Sequence, residues 1–167
     1  MNTEIAGLAW SFHVSPDSCD NPMHYENYLR LSALAEQKDG QAVTHVMIDD
    51  DANCIAGFVA LRATSLVSTL EDGKLSVNPA LEIAELAVDQ SYEGEGVGTT
   101  LVKLALAYAD LIREGTAGIK FVMLCSDPKS VGFYEKLGFS HVSDLYKVLN
   151  DGWNNHCEPM YRRLPEL

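Results

Sequence analysis

The run Glu93-Gly94-Glu95-Gly96-Val97-Gly98 has the most distinctive chemical spacing in the chain, lying between a strand-like stretch at 81–88 and a long amphipathic segment. Glycines let a backbone turn sharply and approach a ligand without a Cβ in the way. The first N–H groups of a helix have no intrahelical partner and, with the helix dipole behind them, favour an anion. A diphosphate suits such a turn, and so does close packing of a helix on a strand. Two known glycine motifs do not apply. No Lys-Ser/Thr pair follows Gly98, as a P-loop needs, and Gly94-x-Gly96-x-Gly98 behind a β-meander is not a dinucleotide fingerprint.

The elements that must position this turn follow from pattern. Residues 5–14 mix small and aromatic apolar types and read as a first strand. Asn21-Pro22 reads as a helix start, with Tyr28, Leu31, Leu34 and Ala35 at helical spacing behind it and Lys38-Asp39-Gly40 closing it. Runs 42–48 and 54–63 form a hairpin around Asp49-Asp50-Asp51-Ala52-Asn53. This is not a calcium loop, because Cys54 and Ala60 stand where that loop needs glycine and glutamate. Residues 66–79 read as a polar connection and 81–88 as a strand. The helix from 97 to 114 carries the stripe Val97, Leu101, Leu104, Ala105, Tyr108 and Ile112. Then come a continuous apolar strand at 119–125, a short helix from Asp127-Pro128 to Gly138, and strands near 141–149 and 160–164.

Leu86-Ala87-Val88-Asp89, then Gly96-x-Gly98 and a long helix, resembles the acetyl-CoA-binding core of the GCN5-related N-acetyltransferases. Asp127-x-x-Ser130-x-x-Phe133-Tyr134-x-Lys136-x-Gly138-Phe139 is similar to that family's second CoA-side helix. The resemblance implies one α/β (α+β) domain over residues 1–167, with a mixed sheet of six or seven strands and three or four helices. It implies acetyl-CoA as cosubstrate and no metal. It also implies a cofactor site at Leu86, Ala87, Val88, Glu93, Gly94, Glu95, Gly96, Val97, Gly98, Thr99, Asp127, Ser130, Phe133 and Tyr134. Glu93 and Glu95 depart from the family pattern, which carries Gln or Arg at the first position and often a basic residue at the second. Two carboxylates oppose a diphosphate, although backbone donors can still hold it.

In this family the amine attacks the thioester directly. The reaction needs a neutral amine, a donor to the developing oxyanion and a proton for the leaving thiolate. The resemblance puts the oxyanion donor at the N–H of Ala87 or Val88 and makes Tyr134 the general acid. Glu85, ahead of Glu82, is the candidate base, and strand alternation sends the two to opposite faces. The five histidines are scattered without metal-ligand spacing and read as structural or solvated.

Twenty-four acidic and twelve basic residues leave a formal net charge of −12. Such a charge repels phosphate backbones and anionic membranes, so neither nucleic acid nor a membrane is expected as partner. A small-molecule or peptide amine, cationic if the acidity is more than a solubility device, is the expected acceptor. A homodimer is a further expectation from the family. Cys19, Cys54, Cys125 and Cys157 lack close spacing and read as reduced thiols of a cytoplasmic protein. Two other functions stay open: a non-catalytic acyl-CoA-binding or regulatory module, motivated by Glu93 and Glu95, and a toxin-type acetyltransferase acting on aminoacyl-tRNA, against which the shortage of Lys and Arg counts.

Overall fold

The computed structural model describes residues 3–70, 72–142, 146–148 and 157–166. The chain forms two compact units, Met1–Arg62 with Ala84–Ala105, and Ala63–Ile83 with Leu106–Leu167.

The first unit begins with helix α1 (Thr3–Leu8) and a 3-10 turn (Ala9–Ser11), where a strand was expected. The reason is periodicity: Ile5, Leu8, Ala9 and Phe12 recur at i, i+3, i+4 and i+7, and all four pack into one apolar cluster. Pro22 opens α2 (Pro22–Asn27) as anticipated, but Asn21 caps it through its backbone, accepting from His24 N at 3.1 Å. A π-helical turn (Tyr28–Ser32) follows directly and runs into α3 (Ala33–Asp39), which closes on Gly40 at φ 74°. Glu26, buried on α2, accepts from Val14 N (3.1 Å) and pairs with Arg30 Nη1 at 3.0 Å. Arg30 in turn donates to Ala9 O (3.2 Å) and Phe12 O (2.7 Å).

Strand β1 (Val43–Asp49) runs antiparallel to β2 (Cys54–Thr69), from Val43 opposite Leu61 to Asp49 opposite Cys54. Asp49 Oδ1 closes the turn by accepting from Asp51 N and Ala52 N, both at 3.0 Å. The Ala84–Val88 end of β3 (Leu75–Val88) lies in this unit, where Asp89 N donates to Ala56 O at 2.9 Å. Helix α4 (Val97–Gly115) buries Val97, Leu101, Val102 and Ala105 here, whereas Leu104 of the expected stripe is 36% exposed. The helix sits close because β2 has Gly57 beneath it. A Cβ at Gly57 would lie 2.8 Å from Val97 Cγ1, 3.0 Å from Leu101 Cδ1 and 3.1 Å from Ala87 O. The two side chains can shift but the carbonyl cannot do so cheaply. Gly57→Ala is expected to cost about 1–3 kcal/mol of stability, read as a lowered Tm.

In the second unit the expected polar connection at 66–79 is instead the meeting of two long strands. Leu70 N donates to Lys74 O (2.7 Å) across a tight turn with Gly73 at φ 80°. Polar residues are satisfied inside the sheet: Asn78 donates to Leu66 O at 3.2 Å and accepts from Lys120 Nζ at 2.7 Å. Strand β3 pairs in parallel with β4 (Phe121–Ser126) from Ala80 opposite Phe121 to Ile83 opposite Leu124. Helix α5 (Val131–Lys136) then follows a 3-10 turn (Pro128–Ser130), on whose Lys129 N the Asp127 carboxylate closes at 3.0 Å. Strands β5 (Ser140–His141), β6 (Tyr146–Val148) and β7 (Glu158–Arg163) complete the unit, in the order β2-β3-β4-β7-β5 with β6 beside β2. All but the β3–β4 pair are antiparallel where register is defined here. The mixed sheet with helices is the expected α+β fold class.

The expectation of four reduced thiols is corrected. Cys125 on β4 and Cys157 just before β7 form a disulfide, while Cys19 and Cys54 are not part of one. The two partners are 32 residues apart, and the antiparallel β4–β7 pairing is what brings them to bonding distance.

Candidate active site

In the first unit, β3 ends at Val88 and the chain is clamped at once by Asp89. Its buried carboxylate accepts from Ser91 N (2.9 Å) and His13 N (2.8 Å), and Gln90 N donates to His13 O at 2.8 Å. Tyr92 anchors the next turn by donating to Asp49 Oδ2 at 2.7 Å, with the Cys54 thiol 3.2 Å from its hydroxyl. The Cys54 and Asp49 contacts push the Tyr92 phenol pKa up, and the Tyr92 bond holds the Asp49 carboxyl below its ordinary value.

Beyond this anchor Gly94 and Gly96 adopt φ 80° and 83°, a region that only glycine enters freely. A Cβ at either would have no heavy atom within 4 Å beyond its chain neighbours, so the space above the turn is open. The N–H groups ahead of Thr100 are those that a helix start leaves without an intrahelical partner. The first helical bond is Thr100 N to Gly96 O at 3.0 Å. Such donors at the start of a 19-residue helix fit an anionic group such as the diphosphate of CoA. The acidic departures bear less on this than the sequence implies. Glu93 accepts a hydrogen bond from the Ser18 hydroxyl, while Glu95 is exposed.

A cleft of about 450 Å³ lies beside the same end of β3, lined by α2, the π turn, α3, Arg62 and Glu85. His24 Nε2 sits 3.0 and 3.1 Å from the two carboxylate oxygens of Glu85. That bond raises the His24 pKa above its ordinary value, against the opposing effect of burial. Deeper in, Tyr28 donates to Glu36 at 3.1 Å, and burial pushes its phenol pKa up. Sequence reasoning passed over His24. It is 61 residues from Glu85, and no local spacing signals the pair.

The second unit holds the remaining candidates. Glu82 is 1% exposed, in register with Met123 of β4. Tyr134, 7% exposed, meets Phe133 and Phe139 edge-on at 4.9 and 5.8 Å, and Asp127 caps the 3-10 turn that Ser130 ends before α5. Lys136, Arg162 and Arg163 line an open hollow of about 650 Å³, with Arg162 Nη1 donating to Leu137 O at 2.6 Å. Among the described residues there is no cluster of metal-ligating side chains, and no helix is long and apolar enough to cross a membrane.

Residues 5–139 match the family model of the Acetyltransferase (GNAT) family. The chain belongs to the GNAT acetyltransferases. Solved GNAT-fold structures resemble it over most of its length. One, described as a bacterial toxin, is 20% identical with a TM-score of 0.72, covering 98% of this chain and 84% of that one. A second is AtaT complexed with acetyl-methionyl-tRNAfMet, 16% identical with a TM-score of 0.69, covering 90% and 85%. A third is a tyrosine-to-phenylalanine mutant of AtaT bound to acetyl-CoA and the C-terminus of the antitoxin AtaR. It is 15% identical with a TM-score of 0.68, covering 93% and 84%.

These findings correct the expectation of a small amine partner and no nucleic acid. Proteins of this GNAT fold are seen with tRNA and with an antitoxin. The error came from using a chain-wide sum of charge. A net −12 says nothing about where the twelve cations lie, and only Arg30, Lys38, Arg62 and Lys103 fall in the first unit, leaving eight for the second.

Proposed function

We propose that this GNAT protein, acting as a single acyltransferase domain, transfers the acetyl group of acetyl-CoA to the amino group of an aminoacylated tRNA. The observation that carries the donor half is the glycine turn at the start of α4, where Gly94 and Gly96 take positive φ with open space over their Cα atoms. The acceptor half is supported by the tRNA-bound GNAT-fold neighbour and by the basic hollow at Lys136, Arg162 and Arg163. Both substrates are cytoplasmic, so the proposal puts the protein there.

The diphosphate would rest on the N–H groups of Gly96 to Thr99, with Gly94 shaping the turn. The N–H of Ala87 or Val88, beyond the last β3 residue in register with β4, would polarise the thioester carbonyl. Leu86 would contribute to the wall along the pantetheine arm. Asp127, Ser130 and Phe133 would hold the second helix that presents Tyr134, whose hydroxyl protonates the leaving thiolate. Glu85, lining the first-unit cleft, is preferred to the buried Glu82 as the carboxylate that supports removal of the amine's proton.

Two experiments test this. Calorimetric titration with acetyl-CoA should show saturable binding, and Gly96→Val should weaken it about tenfold, since a β-branched residue resists positive φ by about 1–2 kcal/mol. Incubation with acetyl-CoA and a pool of charged tRNA should release free thiol and yield acetyl-aminoacyl-tRNA by mass spectrometry. Acetyl-CoA binding without transfer to any charged tRNA would overturn the acceptor half, and absence of binding would overturn both.

A further inference from the structure

We infer that the first-unit cleft binds the acceptor's ammonium group, and that His24, oriented by Glu85, takes its proton. The inference rests on the acetyl-transfer reading above and adds a site and a residue to it.

The cleft has the right chemistry for a primary ammonium. Glu85 comes from β3, Arg62 from β2, Tyr28 from the π turn and Glu36 from α3, so two carboxylates face one guanidinium. Behind the cleft wall the Tyr25 ring meets the His24 ring edge-on at 5.2 Å. An extra residue in a helix pushes side chains outward, and such π turns recur at functional sites. This one supplies Tyr28, Leu31 and Ser32 to the cleft wall.

The His24–Glu85 pair has a defined polarity. A neutral imidazole that donates from Nε2 to a carboxylate keeps its lone pair on Nδ1, and the carboxylate stabilises the cation once that nitrogen is protonated. His24 is half exposed while the Glu85 side chain is 17% exposed, so the histidine meets solvent and substrate and the glutamate stands behind it.

The proton count closes. The ammonium gives one proton to His24 Nδ1 and becomes a neutral amine. Its lone pair forms the C–N bond to the thioester carbon as the carbonyl π pair moves to oxygen. Return of that pair breaks the C–S bond, and the thiolate takes the Tyr134 proton. The nitrogen of the tetrahedral adduct loses its extra proton, restoring Tyr134, and His24 releases its own to solvent. One proton leaves per turnover, with amide and free thiol as products.

The test follows the His24 ring signals by NMR against pH, alone and with methionine amide as the ammonium probe, alongside turnover on charged tRNA. In the wild type His24 should titrate above an ordinary histidine. Glu85→Gln should bring it down, and saturating methionine amide should lower it also, because a bound cation opposes imidazolium. His24→Gln should cut kcat/KM by about a hundredfold. It should also erase the acid limb in which the wild-type rate rises with pH through the histidine's titration. A His24→Gln enzyme with the wild-type rate and limb, or ring signals unmoved by the amide, would overturn the inference and leave the acetyl-transfer reading standing. Ring signals that answer the amide in a protein inert toward every charged tRNA would keep the ammonium site and remove the tRNA acceptor instead.

Discussion

Tyr134→Phe is expected to lower kcat by about 10²–10⁴-fold, the range of a lost general acid, while acetyl-CoA binding stays within about twofold. The phenyl ring would keep its edge contacts with Phe133 and Phe139, so removal of the hydroxyl leaves the packing of α5 in place. On the proposed role of Tyr134, what is lost is the proton for the departing thiolate. Without it, C–S cleavage must expel a free anion. Stopped-flow thiol release with calorimetry on the same preparation separates the two quantities. Unchanged turnover would remove Tyr134 as the acid. Weakened binding in step with turnover would make it a cofactor contact instead.

Glu26→Ala is expected to destabilise the first unit by about 3–5 kcal/mol, the range for breaking a buried ion pair from one side. The two side chains are 9% and 11% exposed, so removing the carboxylate leaves the Arg30 guanidinium without its counter-charge. Val14 N also loses its acceptor. Urea denaturation measures the cost. The double variant Glu26→Ala with Arg30→Met should cost less than the two single changes summed, because no charge is left stranded. The consequence reaches function, since Glu26 and His24 share α2. A loosened α2 should reduce turnover on any acceptor before it affects acetyl-CoA binding.

The parts of this protein legible in its sequence are those whose cause is local. Gly94 and Gly96 announce a turn because few other residues adopt φ 80° and 83° without strain, and the helix behind them starts where the apolar stripe begins. The apolar run at Phe121–Ser126 becomes a buried strand, and Asp127-Pro128 opens the α5 segment, for equally local reasons. The family itself was legible from two such segments, and the match over residues 5–139 bears that out. Errors arose where local pattern is ambiguous. Residues 5–12 carry an apolar set that either a strand or a helix could use, and the apolar cluster formed with Tyr28, Leu29 and Phe58 selects the helix. Polar residues near 66–79 suggested a loop, but Lys120 and Asn78 satisfy one another within the sheet.

Tertiary structure alone decided the rest. Cys125 meets Cys157 because β4 and β7 pair, not because of any spacing between them. His24 meets Glu85 because the helical segment that begins at Pro22 packs beside the end of β3, so a histidine unremarkable in sequence lines a cleft with a carboxylate at its ring nitrogen. Charge shows the difference most plainly. The sequence determines the total of −12, while a binding partner responds to the field where it touches, and that field depends on which residues the fold brings side by side.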